Sequence, residues 1–200
     1  MSIYKALALC AMISPILYTV MWILGGIIVP GYSHIENDVS SLFAVGAHAR
    51  WVFQSLAIVC SVLLLAFYAG LHWSTGDGPA IGAVFYVAAA LLGVLVAVFF
   101  PLDAGGEPVS WRGKGHLVLI ALSGVLMIAA MLLMYFRLRD SAQWRGFAVF
   151  QLIAAPVLLA GVIVMVPFTG SKYMGLVERF MVSGYQVFYF VSGLLVFLRN

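Results

Sequence analysis

The chain has 200 residues, of which 64% are apolar and only 8% charged, with a net charge of +3 and two cysteines. Ordinary soluble domains carry roughly a quarter charged residues, so a water-soluble globule is excluded. Cys10 and Cys60 both fall inside apolar runs, which excludes a disulfide framework and any CxxC metal or redox motif.

Stretches free of Asp, Glu, Lys and Arg run over 6–35, 51–76, 78–102, 115–136, 146–171 and 180–198. Each is near the ~20 residues that cross about 30 Å of hydrocarbon at 1.5 Å per residue. None alternates in polarity as barrel strands do. The expected fold class is all-α: a polytopic membrane protein whose six-transmembrane-helix bundle forms one transmembrane domain over 1–200. Its spans are expected at about 6–30, 51–72, 79–101, 116–136, 147–168 and 180–198. Pro30-Gly31 closes the first span, Gly76-Asp77-Gly78-Pro79 turns the chain after the second, and Pro101 and Pro167 end the third and fifth. Pro15 and Pro156 lie within spans, where neighbouring helices must satisfy the carbonyls they free. Gln54, Gln151 and Gln186 are the polar side chains expected to bind across helix pairs.

Six crossings put both termini on one side and loops one, three and five on the other. Lys plus Arg is tied at five on each side, but the opposite side holds five of the seven acids and three of the four histidines. Arg137, Arg139 and Arg145 form the densest basic cluster, which places the termini in the cytoplasm of a multi-pass cell-membrane protein.

Loop one, from Gly31 to Arg50, is too polar to span. Ser33-His34-Ile35-Glu36 has capping-box spacing. Ile35, Val39, Leu42 and Phe43 then fall on one helical stripe and His34, Asp38 and Ser41 on another. This predicts a short interfacial amphipathic helix after the first span. Imidazole and carboxylate four residues apart on a helix point the same way and could share a metal ion or a proton. Loop three adds Asp103, Glu107 and, at the mouth of the fourth span, His116. His34, Asp38, Asp103 and His116 make a nitrogen and oxygen set suited to zinc or another divalent ion, although their spacing matches no specific zinc motif. The competing reading has the same residues hydrating loops, capping helices and tying loop one to loop three. Glu178 and Arg179 are neighbours that cannot face each other along a helix, so each is expected to find a partner elsewhere. For Arg179 that partner is an acidic loop residue or a lipid phosphate.

No lysine lies inside a span to form a retinal Schiff base, and the histidines sit in loops or near helix ends, unlike bis-histidine haem ligands. There is no GxSxG, HExxH or phosphate-binding glycine loop, and no acid deep in a span. Nothing in the chain calls for nucleic acid.

The Pro15 position, the entry Tyr32-Ser33-His34 to Asp38-Val39-Ser40-Ser41-Leu42, the exit Phe100-Pro101-Leu102-Asp103 followed by His116, and Gly175-Leu176-Val177-Glu178-Arg179 before the last span cover nearly the whole chain in order. In these the chain resembles the family catalogued as domain of unknown function 998, small polytopic membrane proteins of bacteria and archaea. The resemblance implies six helices in one bundle and brings no reaction or substrate. A more distant similarity is to transmembrane hydrolases of the alkaline-ceramidase and progestin-receptor-like type, which use Ser, His and Asp around zinc at one membrane face. The chain lacks their HxxxH pair and has six spans where they usually have seven. Three functions stay open: a polar face binding a lipid headgroup, small solute or membrane partner; a metal-dependent hydrolase acting on a lipid; and a small transporter. Membrane lipids are the expected partners, and a homo-oligomer is compatible with the sequence.

Overall fold

The computed structural model describes residues 1–106 and 108–200. Six long helices carry the chain: α1 (Ile3–Ile28), α2 (Arg50–Ser74), α3 (Ile81–Phe99), α4 (Trp111–Leu138), α5 (Arg145–Met165) and α6 (Met174–Arg199). All six are long and apolar enough to cross a membrane, and each overlaps one charge-free stretch with ends displaced by one to seven residues. Short 3-10 turns follow at Ser40–Phe43, Ala104–Gly106 and Val166–Phe168.

Each helix packs on its neighbours in sequence, and α1 also packs on α6, so the six close into a ring. Short connections force the antiparallel order. Two clusters fill the ring. The larger lies towards the termini and is dominated by Phe67, Tyr68, Tyr86, Met131, Met134 and Phe147. The smaller joins Met21 of α1, Phe53 and Ala57 of α2 and Ala97 of α3 to Val39, Leu42 and Phe43 of loop one. Loop one therefore reaches into one mouth of the ring and supplies part of its core. Gly25 of α1 makes room for it, because a Cβ there would overlap the Leu42 side chain.

Polar groups inside the spans are few. The Gln54 amide donates to the Ala97 carbonyl at 2.7 Å, joining α2 to α3, and the Tyr86 hydroxyl donates to Gln151, joining α3 to α5. These are the cross-helix bonds expected of buried amides in an apolar bundle. Gln186 makes no such bond through its buried side-chain oxygen.

The interfacial amphipathic helix expected after the first span does not form; loop one holds a turn over 34–36 and a 3-10 turn at Ser40–Phe43. Ser33 does cap a turn, its hydroxyl accepting from the amides of Ile35 and Glu36 at 3.3 and 3.4 Å. The return bond to the Ser33 amide comes from the Asn37 side chain, not from Glu36. The chain then breaks, and Asp38 caps a separate 3-10 turn by accepting the Ser41 amide at 2.6 Å. Val39, Leu42 and Phe43 are buried as the stripe required, whereas Ile35 stays half exposed.

Candidate functional site: the cap over loops one, three and five

Arg179 in the first turns of α6 organises the cap. Only 8% exposed, it sends Nη1 to the carbonyls of His34, Asn37 and Gly175 at 2.9, 2.8 and 2.8 Å. Its Nη2 donates to the Tyr32 hydroxyl, which in turn donates to the Asp38 carbonyl at 2.9 Å. The Trp22 and Tyr32 rings each lie 5.5 Å from the guanidinium carbon, within cation–π range. Burial pushes the Tyr32 phenol up to about 12, so it remains a hydrogen-bond donor across the accessible pH range. Glu178 completes the junction by accepting the Val39 amide at 2.7 Å, and the Leu176 amide donates to the Ile35 carbonyl at 3.0 Å. Arg179 is thus turned inward to backbone carbonyls, which corrects the expectation that it meets an acidic loop residue or a lipid phosphate. An extended loop turning back on itself leaves carbonyls without partners, and a planar guanidinium with five donors can gather several at once.

The His34 ring lies over Gly26, edge-on to Trp22 and Tyr32 at 5.4 and 5.5 Å. Its burial and then the nearby Arg179 charge hold the imidazole below its usual range, favouring the neutral ring. Asp38 spends one carboxylate oxygen on the Ser41 amide, while the Ser41 hydroxyl donates to the Asp38 carbonyl at 2.7 Å. It lies within electrostatic reach of both Glu178 and His116. His116 is 4% exposed; its Nδ1 donates to the Phe100 carbonyl at 2.7 Å and its ring packs 6.5 Å from Phe43.

Asp103 belongs to a different junction. Its two oxygens accept the Ser110 hydroxyl at 2.6 Å and the Ser110 amide at 2.7 Å, and Ser110 caps α4. The Ser110 hydroxyl, then the Ser110 and Val109 amides, hold this carboxyl below the usual carboxylate range. Loop three meets loop one where the Val45 amide donates to the Leu102 carbonyl at 2.9 Å. Glu107 lies outside the described residues.

Of the eight expected site residues, His34, Asp38, Ser41, His116, Glu178 and Arg179 are therefore gathered under and around loop one, and Asp103 is not. The expected metal set of His34, Asp38, Asp103 and His116 does not assemble. Among the described residues no three His, Cys, Asp or Glu side chains converge closely enough to hold an ion. The physical reason is placement: both Asp103 oxygens are turned to Ser110 at the α4 cap, and the His34 ring lies on α1 over Gly26.

The outward surface of the cap is built from residues of another kind. Each even helix begins here with a cation stacked on an adjacent aromatic ring: Arg50 on Trp51 at 4.8 Å, Arg112 on Trp111 at 5.4 Å and Lys172 on Tyr173 at 5.2 Å. Trp51 and Trp111 are 72% and 68% exposed. Beside Arg50, a hollow of about 450 Å³ opens between Gly46 and Val52. These pairs were visible in the sequence as neighbouring basic and aromatic residues at three span starts. Tyr32, Trp22 and Asn37, which complete the Arg179 junction, carried no comparable signal.

The chain belongs to the family described as "Protein of unknown function (DUF998)", whose model matches residues 12–195. No curated protein and no solved structure matches it.

Proposed function

We propose that this membrane protein binds anionic lipid headgroups on the surface formed by loops one, three and five. The carrying observation is that three cap cations, each stacked on an aromatic ring, make no side-chain hydrogen bond or ion pair among the described residues. Asp38, Asp103 and Glu178 are folded into the cap, while Arg112 and Lys172 point outward and Arg50 lines the hollow. On the terminus side three of the five basic residues are held by the protein, while Lys5 and Arg145 make no ion pair among the described residues. Arg139 pairs with Asp140 at 3.5 Å, Arg137 is bonded to His72 and Gly76, and Arg199 donates to the Gln143 carbonyl at 2.8 Å. Among the described residues no ion pair engages Arg50, Arg112, Lys114 or Lys172.

Exposed tryptophans settle at the headgroup level of a bilayer, and each stacked cation keeps N–H edges free for a phosphate oxygen. The same reading keeps the termini cytoplasmic, with the cap on the far side of the membrane.

Native mass spectrometry of the full chain released from phosphatidylglycerol or phosphatidylcholine tests it. The wild type should retain phosphatidylglycerol preferentially. The combined Arg50→Gln, Arg112→Gln and Lys172→Gln variant should lose about ten-fold of that preference, since each surface cation contributes up to about 1 kcal/mol. Equal retention of both lipids, or an unchanged preference in the triple variant, would overturn it.

A further inference from the structure

At the opposite end of the bundle, Arg137 in the last turn of α4 reaches over the C-terminal end of α2. Its Nη1 lies 2.8 Å from Nδ1 of His72, and its Nη2 donates to the carbonyl of His72 at 3.1 Å and to that of Gly76. The turn after α2 folds around this guanidinium closely enough that a Cβ at Gly78 would sit 3.2 Å from Nε. Arg137 thereby shares the His72 carbonyl at the end of α2 with the Thr75 hydroxyl and satisfies the Gly76 carbonyl of the following turn.

A guanidinium has only donors and keeps its charge. Nδ1 of His72 must therefore offer its lone pair, which puts the ring proton on Nε2 and makes the ring neutral. The contact exists in one protonation state. A proton on Nδ1 would aim N–H at N–H and bring two positive charges together. Charged groups on the surrounding elements are Arg137 of α4, Asp77 of the turn and Lys5 of α1, and α3 carries none. Lys5 is turned onto the Phe197 ring at 5.3 Å, and the Trp73 ring meets His72 at 5.8 Å. Among the described residues no carboxylate pairs with His72 to favour its cationic form.

We infer that Arg137 and His72 form a proton-operated clasp. With His72 neutral, Arg137 pins the turn over residues 75–80 to the end of α4. With His72 protonated, the guanidinium is expelled, the Gly76 carbonyl loses its Arg137 donor while that of His72 keeps only the Thr75 hydroxyl, and the turn comes free on the terminus side of the membrane.

Nitrogen-15 NMR of histidine-labelled full chain in lipid nanodiscs tests the premise on the wild type itself. At pH 8, His72 should be neutral with its proton on Nε2; the other tautomer overturns the clasp. Hydrogen exchange, corrected for intrinsic rates, tests the consequence. Between pH 8 and 5 the amides of residues 73–80 should lose about ten-fold protection as the clasp opens. His72→Gln, whose side-chain oxygen accepts from Arg137 without titrating, should abolish that loss. Arg137→Gln should leave the turn poorly protected at every pH. The same loss in His72→Gln, or none in the wild type, would contradict the proposal.

Discussion

The carboxylate of Glu178 accepts the backbone N–H of Val39 at 2.7 Å, so the first turns of α6 set where loop one enters the ring. Glu178→Gln keeps an oxygen acceptor in place, whereas Glu178→Ala leaves the Val39 amide without one. Thermal unfolding in detergent should show a loss under about 1 kcal/mol for the amide and about 1–3 kcal/mol for alanine. Equal losses would mean that the bond does not seat the loop.

Arg179 bridges carbonyls of loop one and α6 with one flat group. A lysine keeps the charge but cannot reach His34, Asn37, Gly175 and Tyr32 together. Arg179→Lys should therefore destabilise by about 2 kcal/mol and Arg179→Met by about 3 kcal/mol or more, because buried carbonyls lose their donors. Limited proteolysis should cut loop one faster in both.

Two glycines on the same junction should respond differently to alanine. At Gly175 a Cβ would strike the Asn37 carbonyl, a backbone atom held in place by Arg179. At Gly26 it would strike the His34 ring, whose Nδ1 makes no hydrogen bond and which can swing aside. Alanine gains up to about 1 kcal/mol of helix propensity at either position. Overpacking costs about 1–3 kcal/mol where the neighbour cannot move. Gly175→Ala should thus lower the unfolding temperature, while Gly26→Ala should leave it nearly unchanged and alter the Trp22 environment.

The folded state holds the Asp103 carboxyl below its ordinary range, which fixes the sign of its pH dependence. The contribution is complete above the unfolded value near 4 and is lost as pH falls through the lower folded value. Amide protection at the start of α4 should fall as samples are taken from about pH 4 to pH 2. Asp103→Asn, which titrates in neither state, should remove that part of the response.

The six helices were legible because charge-free length is nearly all that a bilayer demands. α3, at Ile81–Phe99, lies inside the expected 79–101, and the Pro101 boundary held. Loop one was legible only locally. Ser33 caps its turn as the spacing required, yet no helix follows it: Arg179 takes the Asn37 carbonyl and Glu178 the Val39 amide. Those partners lie 142 and 139 positions away, beyond any periodicity in the loop. The four expected metal ligands do not converge for a related reason. Counting side chains of one type on one face cannot reveal that Ser110 holds Asp103 at the α4 cap or that the His34 ring lies on α1. The tie in basic residues was equally blind to which acids fold inward.

Where an anionic headgroup rests is the most direct question for the account. The full chain should be reconstituted with phosphatidylglycerol carrying a photoreactive headgroup, and the adducts mapped by peptide mass spectrometry. The account predicts adducts concentrated at residues 46–52, 111–114 and 171–174, and depleted by the triple Arg50, Arg112 and Lys172 substitution. Adducts concentrated at residues 137–145, or spread equally over both ends of the bundle, would contradict it.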